Sequence, residues 1–367
     1  MISAHENLIE ELEEVIAGKD IGHRAAMLRR VTDLFVLGSG KLSDEQIALF
    51  DDVMGRLVEE IEISARATFG HVLAMFPDAP PKVIRLLALD DAIDVAGPIL
   101  SHSGRVDDTT LVEGAKTKSQ EHLLAISRRQ ALGASVTDVL VERGNQQVVL
   151  SAAGNPGAAF SEFGYSTLVR RSSSDGDLAV CVWSRPEIPR QHLLKLFADA
   201  SESVKRELMK NDPQKAGLIP EIVAQAANQI QTRTRERSAS YAAAHAYVQS
   251  LHETGKLGEM QLAEFARLGK FDETIVALSM ICDLPVGLIE RAFVDDRSEQ
   301  IIVLAKATGL AWETTKAILL LQAGTKKRST HTFDQYFEMF VRLKVESAKK
   351  AIEFYRMRDR AAMPRPI

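Results

Sequence analysis

Residues 80–100 read PPKVIRLLALDDAIDVAGPIL. At helical spacing, Val83, Leu86, Leu87 and Asp90 fall along one helix. In the segment that follows, Ile93, Ala96, Ile99 and Leu100 form a single apolar stripe. Pro80 and Pro81 suit the first turn of a helix, where a missing N–H costs nothing. Asp90 or Asp91 can cap the second helix through a side-chain oxygen, and Gly97-Pro98 predicts a kink within it. The stretch therefore predicts a helix, a tight turn and an antiparallel helix. Such a hairpin leaves one broad face bare, and a second hairpin must cover it.

The surrounding chain supplies candidates. Upstream, residues 5–17 predict a helix ended by Gly18, and His23 to Leu37 predict another with Met27, Leu28, Val31, Leu34 and Phe35 inward. Between that helix and the next lies Gly38-Ser39-Gly40-Lys41-Leu42-Ser43. It lacks the glycine spacing and the hydroxyl of a phosphate loop, whereas Ser43 with Gln46 makes a capping box. Asp44 to Phe69 is periodic throughout. Downstream, short helices are expected at 107–114 and 120–127, and around Val136–Leu140 and Val148–Leu150. Leu178 to Trp183 (LAVCVW) could pass for a strand but is read as helix from its place in the pattern.

A slide of 42 residues puts Arg128 on Arg170, Arg129 on Arg171 and Val136 on Leu178. That period suits two-helix repeats of the HEAT type, in which each unit contacts mainly its neighbours. The expected fold is all-α: a HEAT-like helical-hairpin solenoid over 1–215, then a helical C-terminal domain over 220–367. Asp212-Pro213 and Pro220 mark the boundary. A long helix from Pro220 to about Glu253 would open the second domain, with a polar middle at 231–240.

Composition narrows the classes. Of 367 residues, 46% are hydrophobic and 26% charged, which is ordinary globular usage with length for two domains. A net charge of −5 provides no global field to draw the chain to nucleic acid or a membrane. Cys181 and Cys282 sit far apart, outside any metal-ligand spacing, so reduced thiols and a cytoplasmic chain are expected. The acidic N-terminus does not read as a signal peptide. No run approaches the ~20 apolar residues that span a bilayer.

The most distinctive letters lie between 255 and 321: Gly255-Lys256-Leu257, Phe271-Asp272-Glu273, Leu284-Pro285, Glu290-Arg291-Ala292, Leu304-Ala305-Lys306-Ala307 and Gly309-Leu310-Ala311-Trp312. On these pieces the sequence resembles an uncharacterised family of alphaproteobacterial proteins, a domain of unknown function with a HEAT-like N-terminal half. The likeness covers most of the chain. It implies an all-helical fold and a bacterial cytosolic setting, and it implies no activity and no functional residue. Further on, Lys326-Lys327-Arg328 reads as a basic loop, Thr332 to Arg358 as a final helix and Met363 to Ile367 as a tail.

Nine histidines are scattered, and His245 with His252 offers too few ligands for a metal. No nucleophile elbow or dinucleotide fingerprint appears. The sharpest candidate site is the twin pair Arg128-Arg129 and Arg170-Arg171. Placed equivalently on a stack, these residues could bind phosphate or carboxylate through guanidinium forks; otherwise they are surface charges near helix ends. The expectation is a non-catalytic protein-interaction scaffold or regulatory adaptor, with no cofactor and no metal. Its partner is another protein, or a second copy through the 220–253 helix; nucleic acid and membrane insertion are not expected. One alternative is a nucleic-acid or nucleotide-binding regulator using the paired arginines. Another is a HEAT-like DNA-base glycosylase built around Trp183, Asp175 and Asp177.

Overall fold

A computed structural model describes residues 21–59, 61–211, 217–294, 297–324 and 330–362. The expected helix at 5–17, the boundary at Asp212-Pro213, the basic loop at 326–328 and the tail from Met363 lie outside the described residues. Those residues are all-helical, with a single isolated β-bridge between Leu132 and Ala158. They form two compact units. One comprises the residues up to Leu168 with Val180–Val182, and the other Val169–Ala179 with the residues from Trp183 onward.

The first unit opens with α1 (Ile21–Gly38), α2 (Asp44–Val58) and α3 (Ile63–Leu73). Met27, Leu28, Val31 and Phe35 are buried on α1, but Leu34 faces out. The Ser43 box forms as expected: its hydroxyl accepts from Gln46 N–H while the Gln46 side chain takes the Ser43 N–H. The periodic stretch from 44 to 69 forms two helices, because Glu59 leaves helical geometry (ψ 135°) and ends α2. The Gly38–Gly40 loop is tied down by Asp78, which accepts from the Ser39 hydroxyl and the Gly40 N–H, both at 2.7 Å. Burial pushes the Asp78 carboxyl up, but these hydrogen bonds outweigh it and leave the group below its ordinary value.

The 80–100 stretch folds as α4 (Pro81–Ala88) and α5 (Ile93–His102), with Pro81 in the first turn of α4. The inward face of α4 is Val83, Ile84, Leu87 and Ala88, while Leu86 is 40% exposed. α5 runs on through Pro98. Neither aspartate caps it. Asp90 takes the Ala92 N–H in a tight turn and pairs with Arg66 at 2.8 Å, and Asp91 pairs with Lys118.

Next come α6 (Asp108–Thr117), α7 (Gln120–Ser127), α8 (Ala134–Arg143) and α9 (Gln146–Gly154). Alternate helices pack on each other: α2, α4, α6 and α8 form one row, and α3, α5, α7 and α9 the other. One apolar core runs between the rows from Met27 to Ala158. Leu132 N–H donates to Gly157 O and Ala159 N–H to Leu132 O, so two loops lie edge to edge. A Cβ on Gly157 would meet the Gln130 carbonyl at 1.8 Å, so only glycine permits this approach. α10 (Glu162–Ser172) and α11 (Gly176–Trp183) follow; LAVCVW is helix, as expected.

The second unit continues with α12 (Arg190–Asn211), α13 (Ile219–Glu236), α14 (Ala239–Glu253), α15 (Glu259–Arg267), α16 (Phe271–Cys282), α17 (Val286–Val294), α18 (Ser298–Ala307), α19 (Trp312–Ala323), α20 (Thr330–Arg342) and α21 (Val345–Ala362). The expected unbroken helix from 220 to 253 is interrupted at Arg237. There Ser238 adopts an extended conformation and caps α14 by accepting from Tyr241 N–H. Four helix ends turn through left-handed residues, Gly255, Gly269, Asp283 and Gly309. In each of the four the next N–H closes back on a carbonyl five residues earlier, as in Leu284 to Ser279. A second core, from Leu194 to Ile352, fills the unit.

Candidate functional site

The paired arginines are treated unequally. Arg128 is exposed. Arg129 turns inward and donates to the carbonyls of Leu100 (2.6 Å) and Ser103 (2.8 Å) at the end of α5. Burial pulls its pKa below the ordinary arginine value. Arg170 is exposed and Arg171 half-buried at the end of α10. The 42-residue register that motivated the pairing does not match the helices. Arg128-Arg129 follow α7, the second helix of a hairpin, whereas Arg170-Arg171 end α10, which begins one. The slide aligned first helices with second helices because both carry similar apolar stripes.

The register that the side chains define is shorter. Arg105 Nε donates to Ala79 O (3.2 Å), Arg129 Nη2 to Ser103 O and Asn155 Nδ2 to Arg129 O (2.7 Å), each reaching 26 residues back. Asn155 also donates to Ser127 O at 2.9 Å. These bonds satisfy carbonyls left over at helix ends and loops, where backbone partners run out.

In the second unit, charged groups converge inside the core. Arg190, at the start of α12, donates to Asp272 on α16 and to Glu290 on α17. Arg235, near the end of α13, adds a contact to Glu290 at 3.4 Å. Ser240 donates to Asp272 at 3.1 Å, and the Arg190 guanidinium lies 4.8 Å from the centre of the Tyr241 ring. Glu290 is fully buried; burial pushes its carboxyl above the ordinary value despite the pull of Arg190 and Arg235. Two cations against two carboxylates leave the cluster neutral, the condition under which buried charge is tolerated. Among the described residues, Arg190 Nε has no hydrogen-bond partner.

Beside this cluster a cavity of about 270 Å³ opens between α12, α13, α17, α18 and α21. Arg291, next in sequence to Glu290, lines it, as do Lys205, Arg297 and Gln231. Sequence reasoning missed both features. Arg190 lies 82 residues from Asp272 and 100 from Glu290, beyond any spacing motif. One signal was available: Glu290 stands among Val286, Ile289, Phe293 and Val294 on an apolar face, where a lone carboxylate needs a buried cation.

Other candidates have local duties. The Asp175 carboxylate accepts from Leu178 N–H at 3.1 Å, and Trp183 meets Phe197 edge-on at 4.4 Å. Among the described residues no three His, Cys, Asp or Glu side chains gather as a metal site, and no helix is long and apolar enough to cross a membrane.

No match is found among curated proteins or among solved structures. A family model described as an uncharacterised protein conserved in bacteria (DUF2336) matches residues 95–353, well over half of the chain, and the chain belongs to that family.

Proposed function

We propose that the chain is a non-catalytic adaptor that docks another protein on a short helical solenoid, its first unit. The observation that supports this reading is the set of 26-residue bonds from Arg105, Arg129 and Asn155, which hold successive hairpins in one register. Stacked hairpins of this kind present an extended surface in which each unit touches mainly its neighbours. The stack resembles HEAT-type architecture in its paired helices, with a shorter repeat.

The row α2–α4–α6 is the proposed docking face. Asp52 on α2 and Lys82 on α4 pair at 3.6 Å, and Arg85 on α4 pairs with Glu113 on α6. One turn from the first pair, Leu49 and Leu86 are 66% and 40% exposed. Apolar anchors within a rim of both charge signs suit a protein partner. A nucleic-acid regulator using Arg128, Arg129, Arg170 and Arg171 is the lesser reading, since the Arg129 guanidinium is already engaged on two carbonyls.

The test is affinity capture from the native cell with the full chain, followed by calorimetry with the purified partner. Leu49→Glu with Leu86→Glu is expected to weaken binding at least tenfold. An affinity equal to wild type would remove the docking face from α2 and α4.

A further inference from the structure

We infer that the outer side of α13 is a self-association surface, on which a second copy of this chain packs antiparallel about a two-fold axis. α12 and α13 run for 22 and 18 residues and pack on each other. Among the described residues α13 gives no apolar side chain to the second core, and α12 gives only Leu194 and, at its edge, Ala198. One side of α13 lines the cavity through Val223, Ala227 and Gln231. The other side carries Ile222, Ala226 and Gln229 at helical spacing, continued by the N-cap residue Leu218. All four are exposed, Leu218 at 60% and Ile222 at 63%.

The composition of that stripe selects its occupant. Residues 222–232 read IVAQAANQIQT, without a charge. An exposed helix face ordinarily carries charged residues, and the centre of a protein interface is where they are depleted. A charge-free strip does nothing to steer an acidic or basic partner, and it meets no like-charge repulsion against itself. Its groups also complement their own kind. The Gln225 and Gln229 carboxamides both donate and accept, so each can pair with an amide of the same strip on a second copy. Run antiparallel, the strip sets Ile222 of one copy against Ala226 of the other, and the reverse, large on small. Self-complementary two-fold contacts are the commonest route to an oligomer.

Beside α13, α12 adds exposed Val204 and Leu208, one turn apart, amid Glu202, Lys205, Arg206 and Glu207, which mix both signs. Two α12–α13 pairs together supply four helices, the number that closes a bundle over its apolar stripes. The break at Arg237 confines the surface to α13, short of the helix to Glu253 that the sequence suggested. Combined with the docking reading, on which it does not depend, self-association makes the adaptor bivalent.

The experiment is sedimentation equilibrium of the full chain at micromolar concentrations. The expected mass is twice that of the 40.4 kDa chain. Ile222→Glu with Ala226→Glu, both at exposed positions, should weaken self-association by about tenfold or more. Met260→Glu on α15, at a position 77% exposed, should leave it unchanged. A second measurement does not depend on disrupting the face. In a Cys181→Ser background, Gln225→Cys should be joined to a second copy by a short bismaleimide, and Met260→Cys should not. A single-chain mass at tens of micromolar overturns the assignment, as does a dimer unmoved by the double substitution. Loss of the dimer on Met260→Glu, or equal cross-linking at 225 and 260, would overturn it too.

Discussion

Asn155 stands to Arg129 as Arg129 stands to Ser103: each side chain donates to a backbone carbonyl 26 residues earlier. The Arg129 residue is thus a donor through its guanidinium and an acceptor through its carbonyl, and it joins three successive hairpin ends. Two different residue types, arginine and asparagine, serve one register because each can reach a carbonyl that no backbone N–H satisfies.

Arg129→Ala should therefore destabilise the first unit by about 2–3 kcal/mol, since hydrogen bonds from a charged donor to two carbonyls are lost. Arg128→Ala, at an exposed position one residue away, should stay within about 0.5 kcal/mol. Denaturant unfolding of the two variants side by side reads the difference, and equal midpoints would deny Arg129 its place in the register.

Glu290 carries a pH signature. Its folded pKa is raised above the unfolded value near 4.5, so its contribution is fully present below the unfolded value and is lost as pH rises through the folded one. Wild type should lose stability relative to Glu290→Gln as pH climbs from about 4.5 toward neutrality. Glu290→Leu, which strips Arg190 and Arg235 of an acceptor, should cost about 3 kcal/mol at neutral pH. Urea midpoints across that pH range test both; a difference that grows in the opposite direction would mean the arginines dominate burial.

The two thiols should separate cleanly. Cys282 is buried and its pKa is pushed up to about 12, while Cys181 is half-exposed. Because the thiolate is the reactive form, a disulfide reagent at pH 8 should titrate Cys181 promptly and Cys282 only after unfolding. Prompt reaction of both thiols in the native chain would contradict the packing of α16.

Asp283 is the sole non-glycine with positive φ among the described residues, at φ 50°. The same left-handed turn uses glycine at 255, 269 and 309. Asp283→Gly should remove that strain and stabilise the chain by up to about 1 kcal/mol, after allowance for glycine's larger unfolded-state entropy. A thermal unfolding midpoint at or above the wild-type value agrees; a clear drop would show that the exposed Asp283–Arg356 pair, at 3.5 Å, matters more than backbone strain.

What the sequence made legible was local. The 80–100 hairpin could be read because Pro81 and the stripe ending in Ile99 and Leu100 obey short-range rules. The Ser43–Gln46 box was readable for the same reason. The break at Arg237 was less so, since Ser238 as a cap competes with a run of residues that all tolerate helix. Register between hairpins was not legible. Apolar stripes look alike in every helix, and the bonds that set the 26-residue step come from unlike side chains to backbone carbonyls. The second-unit cluster was hidden by distance along the chain, which joins Arg190 to groups 82 and 100 residues away.

The central claim is that the chain acts through the surface of its stacked hairpins. Hydrogen–deuterium exchange of the full chain, with and without its captured partner, addresses it most directly. The account predicts slowed exchange in α2, α4 and α6, with the α16–α17 region unchanged. Protection absent from α2, α4 and α6, with partner bound, would contradict it.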